Sequence, residues 1–198
     1  MSMLDRLIEQ AKNPKGFIGS LMLSIMNSAH SGMNKWALEK LDIGDHSNIL
    51  DIGCGGGKAI RTLSALNRHG KIYGIDYSGQ AVKESIQANR KDVESGKVKI
   101  LQASVTDTPF ADDYFDTITA FQTHYFWDDL EGGVKEAYRI LQKGGCLMII
   151  AEVYKINYHM HSHKTKEEME QLFSGIGFAA VQFHENTSKG WLCIKGMK

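Results

Sequence analysis

From Ser47 onward, short apolar runs of strand length alternate with longer segments of helical character. The apolar runs predict strands at 48–53, 71–76, 98–103, 115–121 and 145–153. The segments between them predict helices at 57–68, 78–94 and 130–141, with Ser78 capping the second and Gly144 and Gly145 ending the third. This alternation is typical of a parallel sheet that is covered by helices on both faces.

The end of the chain has a different order of elements. It predicts a helix at 165–174 and then strands at 179–185 and 191–196, joined by residues 186–190. A connection this short implies an antiparallel hairpin. The sequence therefore predicts an α/β, Rossmann-like fold with a seven-stranded, mostly parallel sheet that ends in an antiparallel C-terminal hairpin.

The first 46 residues lack this alternation. After Pro14 and Gly16, apolar side chains recur at helical spacing, namely Phe17, Ile18, Leu21, Met22, Ile25 and Met26. We expect residues 1–46 to form an N-terminal helical cover that belongs to the same domain as residues 47–198. Packing of the apolar stripe on the core is the simpler interpretation, and a lid over a ligand site is the alternative.

Composition excludes several classes of function. The 23 Lys and Arg residues balance 23 Asp and Glu residues, so the chain offers no overall positive field for nucleic acid. No apolar run approaches the roughly 18 residues of a membrane span, and residues 1–12 carry charges of both signs, so we expect a cytoplasmic protein. Cys54, Cys146 and Cys193 lie far apart and predict neither a disulfide nor a zinc site. We therefore expect a small molecule as the binding partner. The chain could be a monomer or a homodimer.

Residues 51–57, Asp-Ile-Gly-Cys-Gly-Gly-Gly, lie where the first strand turns into the first helix. Glycine allows a sharp turn and a close approach of the backbone to a ligand. Asp76 ends the next strand, where its carboxylate can accept hydrogen bonds from both ribose hydroxyls, each contributing about 1.5–3 kcal/mol. Dinucleotide sites share this architecture but need Gly or Ala at the sixth position from Gly53, which is Lys58 here. That position argues against a dinucleotide.

Four segments resemble successive motifs of the class I S-adenosylmethionine-dependent methyltransferases. They are residues 49–57, 74–78, 109–116 and 137–145. The resemblance covers residues 47–150, and the terminal hairpin extends it to the end of the chain, so that 47–198 is expected to be the methyltransferase domain. It implies that S-adenosylmethionine is the cofactor and S-adenosylhomocysteine the product.

The resemblance also implies a role for individual positions. Asp51 and the glycines that follow would hold the methionine portion, Asp76 the ribose, and Tyr77 would lie against the adenine. Ser104 stands where the family commonly has an acid that contacts the adenine amine, and its hydroxyl can still accept that hydrogen bond. The complete set of expected cofactor contacts is Asp51, Gly53, Cys54, Gly55, Gly57, Asp76, Tyr77, Ser104, Val105 and Phe121.

The loop after the fourth strand is expected to face the reactive centre, since ligands of parallel sheets lie beyond the carboxyl ends of the strands. Its candidate catalytic residues are Gln122, His124 and Tyr125. His124 matches a position that is frequently histidine in the family; it is either a general base or a structural hydrogen-bonding group. Gln122 could orient the substrate. Tyr125, with the two aromatic residues after it, could form a cage for a cationic or thiol substrate or simply pack.

Three alternating histidines, His159, His161 and His163, follow the fifth strand. A metal site there would need a fixed geometry, and neither a carboxylate nor a cysteine accompanies them closely. We therefore predict no metal and interpret this segment as a polar lid or substrate loop.

The leading hypothesis is a methyltransferase that moves a methyl group to a small-molecule acceptor by in-line displacement. The alternatives are an NAD-dependent Rossmann oxidoreductase and an S-adenosylmethionine-binding protein without catalysis. Enzymes that methylate nucleic-acid amino groups carry two adjacent prolines after strand four, whereas this chain has only Pro14 and Pro109. Methylation of RNA by another kind of site stays open.

Overall fold

The computed structural model describes Gly19 and residues 31–198. Its strands are β1 (Asn48–Ile52), β2 (Lys71–Asp76), β3 (Val98–Gln102), β4 (Phe115–Phe121), β5 (Leu141–Glu152), β6 (Ala180–Asn186) and β7 (Trp191–Met197). Its helices are α1 (Ser31–Leu38), α2 (Lys58–Leu66), α3 (Gly79–Ala88), α4 (Arg90–Glu94), α5 (Leu130–Ile140), α6 (Val153–His159) and α7 (Lys166–Ile176). A 3-10 turn, His124–Phe126, follows β4.

The seven strands form one sheet in the order β3-β2-β1-β4-β5-β7-β6. The first five strands pair in parallel, and β7 pairs antiparallel with both β5 and β6. This arrangement confirms the predicted Rossmann-like fold and its antiparallel C-terminal hairpin. The strand order reverses between β1 and β4, which is where ligands bind in open sheets of this kind.

Helices cover both faces of the sheet. Apolar residues of α5 and α7 pack with one face in the largest core cluster, which includes Leu50, Ile118 and Phe173. On the opposite face, α2 packs through Ile60 and Leu63, and α1 packs against β5 and β7. Because both faces are covered, residues 49–52 of β1, 117–120 of β4 and 145–151 of β5 are buried without alternation, and this includes the polar Thr117 and Thr119.

Two of the predicted helix boundaries are informative. Ser78 caps α3 as predicted, because its hydroxyl oxygen accepts a hydrogen bond from the Ala81 N–H at 3.4 Å. The predicted helix 78–94, however, is two helices that are separated at Asn89.

The prediction that Gly144 and Gly145 end a helix is wrong. Helix α5 ends at Ile140, and Leu141 already pairs with Phe115 as the first residue of β5. Both glycines therefore lie inside the strand, where Gly144 has a φ of 80° and the register with β4 shifts. The start of sheet pairing at Leu141 stops the helix four residues before the glycine pair.

Residues 153–159 form helix α6, where the sequence indicated a polar loop. The predicted apolar stripe from Phe17 to Met26 lies outside the described residues, so its role as a cover stays a prediction. Within the described ranges, no helix is long and apolar enough to cross a membrane.

Candidate active site

The glycine loop is anchored to the end of β2. Both Gly53 and Cys54 donate their backbone N–H groups to the Ile75 carbonyl oxygen, at 2.8 and 3.0 Å. Gly57 then closes a turn by donating to the Cys54 carbonyl oxygen at 2.9 Å. The loop between β1 and α2 therefore lies at the carboxyl ends of two adjacent parallel strands, beside the reversal of strand order.

Two glycines of this loop have conformations and surroundings that exclude a side chain. Gly53 has a φ of 70°, and a Cβ there would overlap the side chain of Thr123. Gly57 has a φ of 78°, and a Cβ there would overlap Ser85 and Asn89. The sequence indicated that glycine keeps room for a ligand, and the structure adds an internal reason, since neighbouring elements already fill the space.

Asp76 is held in place by the backbone around it. One carboxylate oxygen accepts from the Gly55 N–H and the other from the Ser78 N–H, both at 2.9 Å. Burial raises the pKa of Asp76, while these two hydrogen bonds act to lower it. Each oxygen retains a lone pair, so the fixed carboxylate can still accept hydrogen bonds from a diol.

Asp51 lies deeper, at the carboxyl end of β1. Its side chain is buried and accepts a hydrogen bond from the Thr119 hydroxyl at 2.8 Å. Burial raises the pKa of Asp51 to about 7, the Thr119 hydrogen bond lowers it, and the negative charge of Asp76 raises it further. Near neutral pH this group therefore sits between its neutral and charged forms.

The other residues that we expect to contact the cofactor differ in burial and in their neighbours. Cys54 is buried against Gly74 of β2, and burial raises the pKa of its thiol. Tyr77 is 70% exposed just beyond the end of β2. Ser104 follows β3 and its hydroxyl shares a 2.9 Å hydrogen bond with that of Thr106, while Val105 lies close to Gly133 of α5. Their contacts with a cofactor stay predictions.

Gln122 forms a hub at the carboxyl ends of β4 and β5. Its side chain is only 4% exposed, and its φ of 55° is unusual for a residue other than glycine. The amide oxygen accepts from the Tyr125 hydroxyl at 3.0 Å and from the Glu152 N–H at 3.2 Å. The amide nitrogen donates to the Glu152 carboxylate at 2.7 Å. Because protein groups occupy both ends of the amide, Gln122 orders the surrounding side chains in this structure.

His124 lies in the 3-10 turn and is 1% exposed. Its Nδ1 has no hydrogen-bond partner among the residues that the structure describes. Burial lowers the pKa of His124 to about 3, so the ring is neutral at physiological pH. Its role as a general base stays a prediction, which this depth of burial disfavours.

Tyr125 contacts a helix that the sequence did not reveal. Its ring stacks on His159 of α6, with the ring centroids 5.2 Å apart and an angle of 10° between the planes. Burial raises the pKa of the Tyr125 hydroxyl well above its usual range. On the same helix, Lys155 forms a 2.7 Å ion pair with Glu152. Glu152, Lys155 and His159 thus join the predicted residues Gln122 and Tyr125 at one edge of the site.

The three alternating histidines do not come together as a group of metal ligands. His159 is packed among aromatic rings, His161 is exposed, and His163 lies beside Ser162 with a φ of 56°. In the described part of the chain, no cluster of three or more His, Cys, Asp or Glu residues could hold a metal ion.

A glycine loop and a fixed acid at a strand-order reversal define a nucleotide-type binding site of the doubly wound α/β class. Comparison with known proteins narrows this class. A family model described as a methyltransferase domain matches residues 50–149, about half of the chain. The chain therefore belongs to the class I S-adenosylmethionine-dependent methyltransferases, as the sequence motifs predicted.

Individual relatives agree with this assignment. A C-methyltransferase of ubiquinone and menaquinone biosynthesis from Geotalea daltonii is 33% identical over 152 residues, 71% of this chain but only 63% of that protein. An uncharacterized methyltransferase of Bacillus subtilis is 27% identical over 173 residues, 86% of this chain and 92% of that one. An N-methyltransferase of Haemonchus contortus, solved with S-adenosylhomocysteine and phosphomonomethylethanolamine, shares the fold with a TM-score of 0.72. Its identity is 14%, over 85% of this chain and 52% of that one.

Proposed function

We propose that this protein transfers the methyl group of S-adenosylmethionine to a small-molecule acceptor by in-line displacement. The observation that carries the proposal is the glycine loop bound to the end of β2, with the Asp76 carboxylate held beside it by two backbone N–H groups. Family membership supports the choice of cofactor, and the absence of an overall positive charge favours a small acceptor over nucleic acid.

The residues of the site fit this cofactor chemically. Asp76 offers the ribose hydroxyls a carboxylate that the backbone N–H groups of Gly55 and Ser78 hold in place. Asp51 provides a second carboxylate for the end of the ligand that carries a positively charged ammonium group. Two buried carboxylates side by side repel each other, and a cationic ligand relieves that repulsion.

Bound S-adenosylmethionine supplies a methyl carbon that is already activated by its sulfonium group. The protein therefore needs mainly to align the acceptor and exclude water, and alignment alone can lower the barrier by about 7–11 kcal/mol. We assign alignment to the ordered edge that is formed by Gln122, Tyr125 and Glu152. Relatives are named for methylation of quinones, sterols and hydroquinones, which supports a small organic acceptor.

Turnover distinguishes an enzyme from a cofactor-binding protein without catalysis. We expect the purified chain to convert S-adenosylmethionine to S-adenosylhomocysteine when it is given one class among a panel of phenols, amines and thiols. Cofactor binding with no turnover on any class, at about millimolar acceptor, would contradict catalysis of a small molecule and favour the binding-protein alternative.

Replacement of Asp76 tests the proposal that its carboxylate binds the ribose of the cofactor. We expect Asp76→Ala to weaken S-adenosylhomocysteine binding by about 100-fold, because two hydrogen bonds to a charged acceptor are lost. Asp107→Ala, in the exposed turn after β3, is the control and should leave the affinity unchanged. Calorimetry measures both, and equal affinities for the two variants would contradict the assignment.

A further inference from the structure

His159 is presented to the active-site edge by helix α6. Its ring stacks on Tyr125, and Phe126 and Tyr158 each meet it edge-on with centroids 4.9 Å away. Three aromatic neighbours thus fix the orientation of the imidazole, which remains partly exposed. No other described histidine contacts three aromatic rings.

The polar groups at this edge of the site differ in whether they already have hydrogen-bond partners within the protein. The Gln122 amide and the Tyr125 hydroxyl are bonded within the protein. By contrast, neither ring nitrogen of His159 has a hydrogen-bond partner in residues 31–198. An oriented, partly exposed imidazole that makes no hydrogen bond to these residues can accept one from a ligand.

Burial and a neighbouring positive charge favour the neutral form of the His159 ring. Burial lowers the pKa of His159, and the positive charge of Lys155, one turn earlier on the same helix, lowers it further. From β5, Glu152 faces Lys155 in a 2.7 Å ion pair. Among residues 31–198, the ionisable side chains whose rings contact His159 are Tyr125 and Tyr158. The imidazole is thus in its proton-accepting form near neutral pH.

We propose that His159 accepts the proton from the hydroxyl group of an aromatic acceptor, a phenol or hydroquinone. This inference rests on the proposed methyltransferase function. The half-buried ring of Phe126 and the exposed ring of Tyr158, both in contact with His159, suit an aromatic acceptor, and a base assists only when the nucleophile must lose a proton. His124, at 1% exposure, is far less accessible than His159.

The transfer step balances without a further reactant. The acceptor oxygen forms a bond to the methyl carbon while the bond between that carbon and sulfur breaks. The electron pair of the broken bond stays on sulfur. The phenolic proton moves to a ring nitrogen of His159 and then to water.

Ligand binding tests the proposal directly. Hydroquinone is titrated into the full chain saturated with S-adenosylhomocysteine, and the imidazole signals are followed by NMR, with His159→Gln used for their assignment. We expect the ring signals of His159 to shift and those of His161 to stay in place. The His159→Gln variant should bind hydroquinone about 10-fold more weakly, whereas His161→Gln, two residues away and exposed, should match the unmodified chain.

The two proposals fail in different ways in this experiment. An unmodified chain that does not bind S-adenosylhomocysteine would contradict the methyltransferase function itself. A chain that binds it but shows no shift of the His159 signals with hydroquinone, or equal losses in both variants, would overturn the role of His159 alone.

The pH profile gives a second readout. With a phenolic acceptor, kcat/KM should fall at pH values below the pKa of His159, because the protonated ring accepts no proton. In His159→Gln this acid limb should disappear and kcat/KM should be about 100-fold lower, while the affinity for S-adenosylhomocysteine is retained. An unchanged acid limb in the variant would overturn the proposal.

Discussion

At the scale of single residues, Asp51 carries a carboxyl group into a buried position with one side-chain donor, Thr119. Its pKa of about 7, against 3.8 for the exposed group, means that the folded state binds a proton more readily than the unfolded state. The contribution of Asp51 to the free energy of unfolding should therefore fall as the pH rises from about 4 to about 7 and should level off above that range. Ionised Asp51 thus lowers the stability of the ligand-free protein, and we interpret a cationic cofactor as the group that relieves this destabilisation.

Asp51→Asn removes the buried charge and keeps an oxygen for the Thr119 hydroxyl. We expect the ligand-free variant to be more stable than the unmodified chain by about 2–4 kcal/mol at pH 8, with little gain near pH 4. Denaturant unfolding at the two pH values measures this difference, and Asp42→Asn, at an exposed position, is the control. A gain that does not depend on pH would contradict the ionisation of Asp51 as its cause.

Gly53 and Gly144 separate backbone strain from steric overlap. Both have a positive φ, but a Cβ at Gly144 meets nothing within 4 Å, while one at Gly53 overlaps Thr123. We expect Gly144→Ala to cost about 1 kcal/mol of stability and to leave cofactor binding intact. Gly53→Ala should cost more and weaken S-adenosylhomocysteine binding. Equal effects of the two changes on stability and affinity would contradict the prediction, because they would show that the Thr123 side chain can move away from the added Cβ at no cost.

Part of the site could be read from the residues alone. Asp51, Gly53 and Asp76 come together at the strand ends as the motif spacing predicted. The depth of His124 could not be predicted, because burial depends on packing between β4, the 3-10 turn and distant segments. For the same reason the sequence placed His159 only in a polar lid or substrate loop, since its contacts with Tyr125 join residues that are far apart in sequence.

At the scale of elements, the alternation of apolar runs predicted all seven strands, and the bounds of β2 and β4 are those predicted. Helix α6 was missed because Val153, Tyr154 and Asn157 are weak helix formers and tertiary contacts override their propensity. The glycine pair at 144–145 led to a wrong helix end because its tertiary context differs from the common one. Such residues commonly end helices, but here they lie where β5 changes register with β4.

The hydrogen bonds of Gln122 join the 3-10 turn to Glu152, the last residue of β5 and the residue that precedes helix α6. We expect Gln122→Ala to destabilise the chain by about 2–3 kcal/mol, because the Tyr125 hydroxyl and the Glu152 N–H lose their acceptor. Gln122→Gly removes the same hydrogen bonds but relieves the positive φ, so it should be less destabilising by about 1 kcal/mol. Thermal unfolding compares the two variants, and equal stability would contradict strain at this residue.

The same hub gives a functional expectation for these two variants. Both should raise the KM for the acceptor while the affinity for S-adenosylhomocysteine changes little, since Gln122 contacts the acceptor edge and not the glycine loop. Loss of cofactor binding at unchanged KM would place Gln122 in the cofactor site instead.

At the scale of the whole molecule, one sheet places two kinds of chemistry at one edge. The strand ends of β1 and β2 carry the glycine loop and its carboxylates, and those of β4 and β5 carry the aromatic and polar side chains that we propose align the acceptor. Parallel pairing makes this possible, because the carboxyl ends of all five strands point the same way. The proposed function therefore depends on which nucleoside-bearing ligand the glycine loop selects.

Calorimetric titration of the full chain with S-adenosylhomocysteine, and separately with NADH, tests that dependence most directly. We expect one binding site for S-adenosylhomocysteine with a dissociation constant in about the micromolar range. We expect no heat of binding with NADH, as Lys58 at the sixth position of the loop indicates. Binding of NADH, or no binding of S-adenosylhomocysteine at about millimolar concentration, would contradict the proposed function.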